Sequence, residues 1–89
     1  MTLRNNTEQH RYELDVDGGT ATLYYQLGPG VITLRHTEVP AELGGRGIGS
    51  QLVRAVLEDV RAQGLKVVAK CPFVAAWMGK HPEFNDLIQ

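Results

Sequence analysis

From Tyr12 onward, apolar and polar residues take turns: Tyr12, Leu14 and Val16 fall on one side, Glu13 and Asp15 on the other. A period of two is that of a half-buried β-strand. The alternation stops at Asp17-Gly18-Gly19-Thr20, where adjacent glycines supply the positive φ angles of a tight hairpin. It resumes at Ala21, Leu23, Tyr25 and Leu27, and breaks again at Gly28-Pro29-Gly30. A third run, Val31 to Val39, is rich in β-branched residues. Three strands with short connections predict an antiparallel meander.

The period then changes. Ile48, Leu52, Val56 and Val60 recur every fourth residue, and Val53 and Leu57 widen the stripe. This is one face of an amphipathic helix over 48–63, with Gly64 as the glycine that ends it. Leu65 to Ala69 reads as a short apolar strand, expected to pair in parallel because it follows a helix. Val74 to Lys80 reads as a second, short helix that carries Trp77 and stops at His81-Pro82. The tail, Glu83 to Gln89, suits one further turn. Residues 1–9 are polar and are expected to be disordered. The predicted order is β-β-β-α-β-α: an α+β fold with a mixed, mostly antiparallel sheet.

Length and composition narrow the function. With 89 residues the chain builds one domain. A net charge of −1 gives no electrostatic footprint for duplex nucleic acid. The single cysteine rules out an internal disulfide. No apolar run approaches the roughly 20 residues that span a bilayer, so no membrane role is expected. MTLRNNTEQHRY contains no apolar signal core, and a cytoplasmic protein is the expectation.

The residues between strand and helix carry the candidate chemistry. Gly44-Gly45-Arg46-Gly47-Ile48-Gly49-Ser50 places four glycines where a helix should start. Each glycine costs a helix about 1 kcal/mol relative to alanine, so something must offset them. The first turn of a helix presents unpaired N–H groups at the positive end of its dipole, and bare backbone lets a phosphate approach them. Arg46 adds a charge able to grip phosphate oxygens. A pyrophosphate cradle from Gly44 to Ser50 is one reading; a flexible loop that permits a sharp turn is the other. A Walker A loop is excluded, because no Lys-Ser or Lys-Thr follows the last glycine. A Rossmann fingerprint would want glycine at Leu52.

This loop, after a strand and opening a helix, resembles the coenzyme A pyrophosphate loop of the GCN5-related N-acetyltransferases. With His36-Thr37-Glu38-Val39-Pro40 and Lys70-Cys71-Pro72-Phe73-Val74, it is more narrowly similar to their small, single-domain YjdJ-type branch. The likeness runs from Tyr12 to Ile88. It departs at Gly44, where the family pattern has Gln or Arg, and there is no counterpart of the N-terminal helix pair. The resemblance implies acetyl-CoA as co-substrate and an amine as acceptor, in a monomer or weak homodimer. It also implies a V-shaped gap between the strand ending at Val39 and the strand Leu65–Ala69. There the pantetheine arm would meet the strand edge near Glu38 and Val39, and the thioester would lie close to Cys71.

Three residues are candidates for catalysis. Cys71, beside Lys70 and at a strand end, suits either a nucleophile that accepts the acetyl group or a small buried residue. His36 and Glu38 share one face of a strand, and either can act as general base toward an amine; a structural histidine and a solvated edge carboxylate are the competing readings. His36 is also a candidate to activate Cys71. Phe73 suits either the pantetheine channel or packing. The alternative to an acetyltransferase is a non-catalytic module that binds coenzyme A or acyl-CoA.

Overall fold

The computed structural model describes residues 1–89. The alternating runs form antiparallel strands β2 (Arg11–Val16), β3 (Gly19–Gly28) and β4 (Val31–Glu38). Their apolar positions face each other in register, Tyr12 against Leu23, Leu14 against Ala21 and Tyr25 against Leu34. All six are buried. Pairing of Val16 with Gly19 and of Gly28 with Val31 leaves two-residue turns at Asp17-Gly18 and Pro29-Gly30.

Residues 1–9 correct an expectation. Thr2–Asn6 form a strand, β1, that pairs antiparallel with β2 and adds an outer member to the sheet. Only Leu3 among its residues is apolar, so periodicity gives no sign of it. Polar pairs hold it instead: Arg4 bridges Asp15 at 2.9 Å, and the Tyr25 hydroxyl donates to Asn5 Oδ1 at 2.6 Å.

Helix α1 (Ile48–Ala62) lays Leu52, Val53, Val56, Leu57 and Val60 on the inner face of the sheet. Its end is a Schellman closure: Gly64 N–H donates to Arg61 O and Leu65 N–H to Val60 O, with Gly64 at φ +74°. Strand β5 (Lys66–Ala69) pairs in parallel with β4, completing the order β1-β2-β3-β4-β5. Helix α2 (Pro72–Gly79) has proline at its first position, where a missing N–H costs nothing. A 3₁₀ segment, Pro82–Leu87, ends the chain, and Gln89 N–H donates to Val67 O, covering the outer edge of β5.

Two features of β4 set the geometry beside α1. A bulge opposite Tyr24 and Tyr25 inserts Arg35 as an unpaired residue, so the strand changes phase. Before it Ile32 and Leu34 point inward; after it Thr37 does, and His36 and Glu38 point away from α1. The β4–β5 pairing also stops at Leu34–Ala69. Lys70 and Cys71 both donate to Leu34 O, and the two strands then part.

Candidate functional site

The parting of β4 and β5 leaves a cleft of about 470 Å³ between the end of β4 and the mouth of α1. Thr37, Val39, Leu43, Gly47, Gly49 and Phe73 are among its walls. The glycine loop forms its floor. Gly45 and Gly47 both have positive φ, +79° and +71°, with Gly47 as the N-cap of α1. Side chains would strain there, and no atom lies within 4 Å of the space a Cβ would occupy at either position. The expected cradle loses its first member, because the Gly44 N–H donates to Ala41 O at 3.0 Å; the N–H groups of Gly45, Arg46, Gly47, Ile48, Gly49 and Ser50 donate to no backbone carbonyl of the chain. Six successive amides at the positive end of a 15-residue helix, opening onto a cleft, are a ready anion cradle.

Gly49 answers a different need. A Cβ there would sit 2.9 Å from Phe73 Cζ, so the aromatic ring lies directly on the first turn of α1. Phe73 is 46% exposed, which makes it a cleft wall with an open apolar face.

The polar groups of the loop are already engaged. Arg46 Nη1 donates to Asp17 O at 2.8 Å and ties the loop to the β2–β3 turn. The Ser50 hydroxyl accepts from Trp77 Nε1 at 2.7 Å. Trp77 is buried, as its place on an apolar helix predicts; its bond to Ser50 is not legible in the sequence. A buried indole N–H needs a partner, but sequence does not say which.

Cys71, the N-cap of α2, is buried, as the second of its two sequence readings has it. Its Sγ lies 3.4 Å from Thr37 Oγ1, across the gap where the strands part. Burial alone raises the thiol's pKa. The Thr37 hydroxyl and the N–H groups of Val74, Phe73 and Thr37 outweigh it, and the net shift is downward. None of the α2 N–H groups closes a full capping bond to sulfur, so their pull is electrostatic.

His36 and Glu38 do share one strand face, with Nε2 and Oε2 3.5 Å apart. That face is the outer one. The bulge turns Thr37, rather than His36, toward Cys71, so the idea that His36 activates the thiol is corrected. Thr37 itself escapes the sequence reading: it partners the thiol and lines the cavities on both sides of β4.

A mixed sheet that splits between two parallel strands, with bare amides at the mouth of the crossover helix, defines the class of protein as an α+β domain with an anion-ready loop at the split of its sheet. A sequence model of the GCN5-related N-acetyl-transferases matches residues 11–87, and this chain belongs to that family. Among relatives, Protein NATD1 of Gallus gallus and of Mus musculus are each 35% identical over 60 residues, 67% of this chain and 54% of theirs. The chain thus spans about half the length of these relatives. Protein NATD1 of Danio rerio is 24% identical over 93 residues, 99% of this chain and 84% of that protein. The solution NMR structure of a GCN5-like protein from Staphylococcus aureus superposes with a TM-score of 0.75 at 27% identity, covering 99% of this chain and 87% of that one.

Proposed function

We propose that this protein transfers the acetyl group of acetyl-CoA to the amine of an acceptor. The observation that carries the reading is the run of six unpaired amides, Gly45 to Ser50, opening onto the cleft where β4 and β5 part. The amides would hold the pyrophosphate. Val39 and Phe73 offer apolar walls for the pantetheine arm. The edge of β4 beyond Leu34 has no backbone partner on the β5 side and is free to pair with the arm's amides.

Direct attack suits the burial of Cys71. The amine nitrogen forms a bond to the thioester carbonyl carbon, the carbon–sulfur bond breaks, and the departing coenzyme A thiolate takes up the proton that the nitrogen sheds as the amide forms. The ammonium must first lose a proton, a role we assign to the His36–Glu38 pair, whose Nε2 and Oε2 lie 3.5 Å apart. A second route, through acetyl-Cys71, is favoured by the lowered thiol pKa alone.

Calorimetry with coenzyme A tests the cradle. Wild type is expected to bind, and Gly47→Glu, which puts bulk and negative charge among the amides, is expected to abolish binding. Labelled acetyl-CoA with mass spectrometry separates the routes: label on Cys71 supports the covalent one, and turnover surviving in Cys71→Ala removes it. Tight coenzyme binding with no transfer to any amine would make the chain a binding module instead.

A further inference from the structure

Resting on the acetyl-transfer reading, we infer that the uncovered face of the sheet is the acceptor site, and that its acceptor is a small polar amine bearing hydroxyl or carboxylate groups. The largest cavity, about 790 Å³, lies on this face, and no helix residue lines it. Strand pairing sets Arg4, Glu13, Thr22 and Glu38 in one row across β1 to β4, and Asn6, Arg11, Tyr24 and His36 in the next. The cavity meets the coenzyme cleft at Thr37 and Val39, which line both. An amine on the outer face therefore approaches the gap through which an acetyl group in the cleft is reached.

The face is built rather than merely solvated. Glu13 is the one charged residue of the chain that is buried, 4% exposed, although it stands on this outer face. Arg11 Nε donates to its Oε2 at 2.6 Å, and Arg11 Nη1 donates to the Tyr24 hydroxyl at 3.1 Å. Tyr24 in turn stacks on His36, with centroids 6.0 Å apart and planes at 28°. A fixed chain thus runs from a buried carboxylate to the His36–Glu38 pair.

Charge and polarity select the occupant. Only Val39 and Pro40 of the lining are apolar, so an arylalkyl amine finds little wall. Two arginines balance two glutamates, so a polycation finds no excess negative charge. Glu38, 57% exposed at its side chain and paired only with His36, is the carboxylate open to an ammonium. Arg4 Nη1 and Arg11 Nη2 make no hydrogen bond within the chain, and they suit a hydroxyl or carboxylate on the same small molecule.

NMR of the coenzyme-A-saturated protein, titrated separately with serine, glucosamine, spermidine and 2-phenylethylamine, tests the assignment. Serine and glucosamine are expected to shift the resonances of Thr22, Tyr24, His36 and Glu38 saturably. Glu38→Gln should weaken them about tenfold or more. Thr22→Trp, which fills the centre of the face, should abolish the shifts while calorimetry finds coenzyme affinity unchanged. Coenzyme binding with no saturable response to serine or glucosamine overturns the inference and leaves the acetyl-CoA reading standing. So does a response to spermidine or 2-phenylethylamine instead, or a dimer in sedimentation that Thr22→Trp dissolves. Failure to bind coenzyme A overturns both.

Discussion

At the scale of single residues, chemistry and positioning are divided between neighbours. The loop lines the cleft at Gly44, Gly45 and Gly47 to Ser50, while the side chains of Arg46 and Ser50 bond to Asp17 O and Trp77 Nε1. Because the Ser50 oxygen accepts from the indole, its own proton is left free to donate. Trp77 is therefore a positioning residue for the first turn of α1. Trp77→Phe keeps the ring and removes the donor. We expect it to weaken coenzyme A roughly two- to tenfold, the worth of a typical hydrogen bond, with pantetheine binding unchanged. Added to Ser50→Ala it should cost little more, since both remove one interaction. A loss of equal size for pantetheine would mark the effect as general destabilisation.

At the scale of elements, β1 is held by charge where other strands are held by packing. Hydrogen bonds from Arg11 first, then from Asn6, with the charge of Arg4, hold the Glu13 pKa below the ordinary carboxylate range; Arg4 and Thr20 do the same for Asp15. A carboxylate with a depressed folded-state pKa contributes stability above its unfolded value, about pH 4, and loses it as pH falls through the folded one. Hydrogen exchange should therefore show β1 amides losing protection as pH falls below about 4, ahead of those of β3. Arg4→Met should lower β1 protection at pH 7 and flatten its acid response. Uniform loss across the sheet would show that β1 is not separately held. The two helices depend on burial instead: α1 docks through valines and leucines that exclude solvent entirely, and its stability should not follow these titrations.

At the scale of the whole molecule, a thin core and a ligand site at the seam of the sheet make stability responsive to binding. The cleft lies where β4–β5 pairing has ended, so a ligand there bridges elements that the chain itself leaves apart. On the proposed function, coenzyme A at about 100 times its Kd is expected to add about 2.7 kcal/mol. For a domain of this size that corresponds to a rise in melting temperature of roughly 10–20 °C, readable by differential scanning fluorimetry. Pantetheine alone should give much less, because it lacks the pyrophosphate proposed to sit on the amides. An equal rise from both would move the weight of binding away from the glycine loop.

Legibility in the sequence tracks periodicity. The alternation of Tyr12 to Val16, the four-residue spacing from Ile48 to Val60 and the stop at Gly64 each report a local backbone preference, and each element lies where its pattern ends. The glycines at 45 and 47 point to a left-handed, side-chain-free loop because no other residue adopts that backbone cheaply. Strand β1 leaves no such trace, since its hold comes from partners more than five residues away. Neither does the Arg35 bulge, which reverses the facing of everything after it and so decides that Thr37 meets Cys71 while His36 and Glu38 meet solvent. The sequence determined by itself the elements from Arg11 onward, their order and the anion-ready loop, because these depend on neighbours along the chain. Only the tertiary structure decided which side chains share a cavity, because strand phase and the point where two strands part are set by contacts across the sheet.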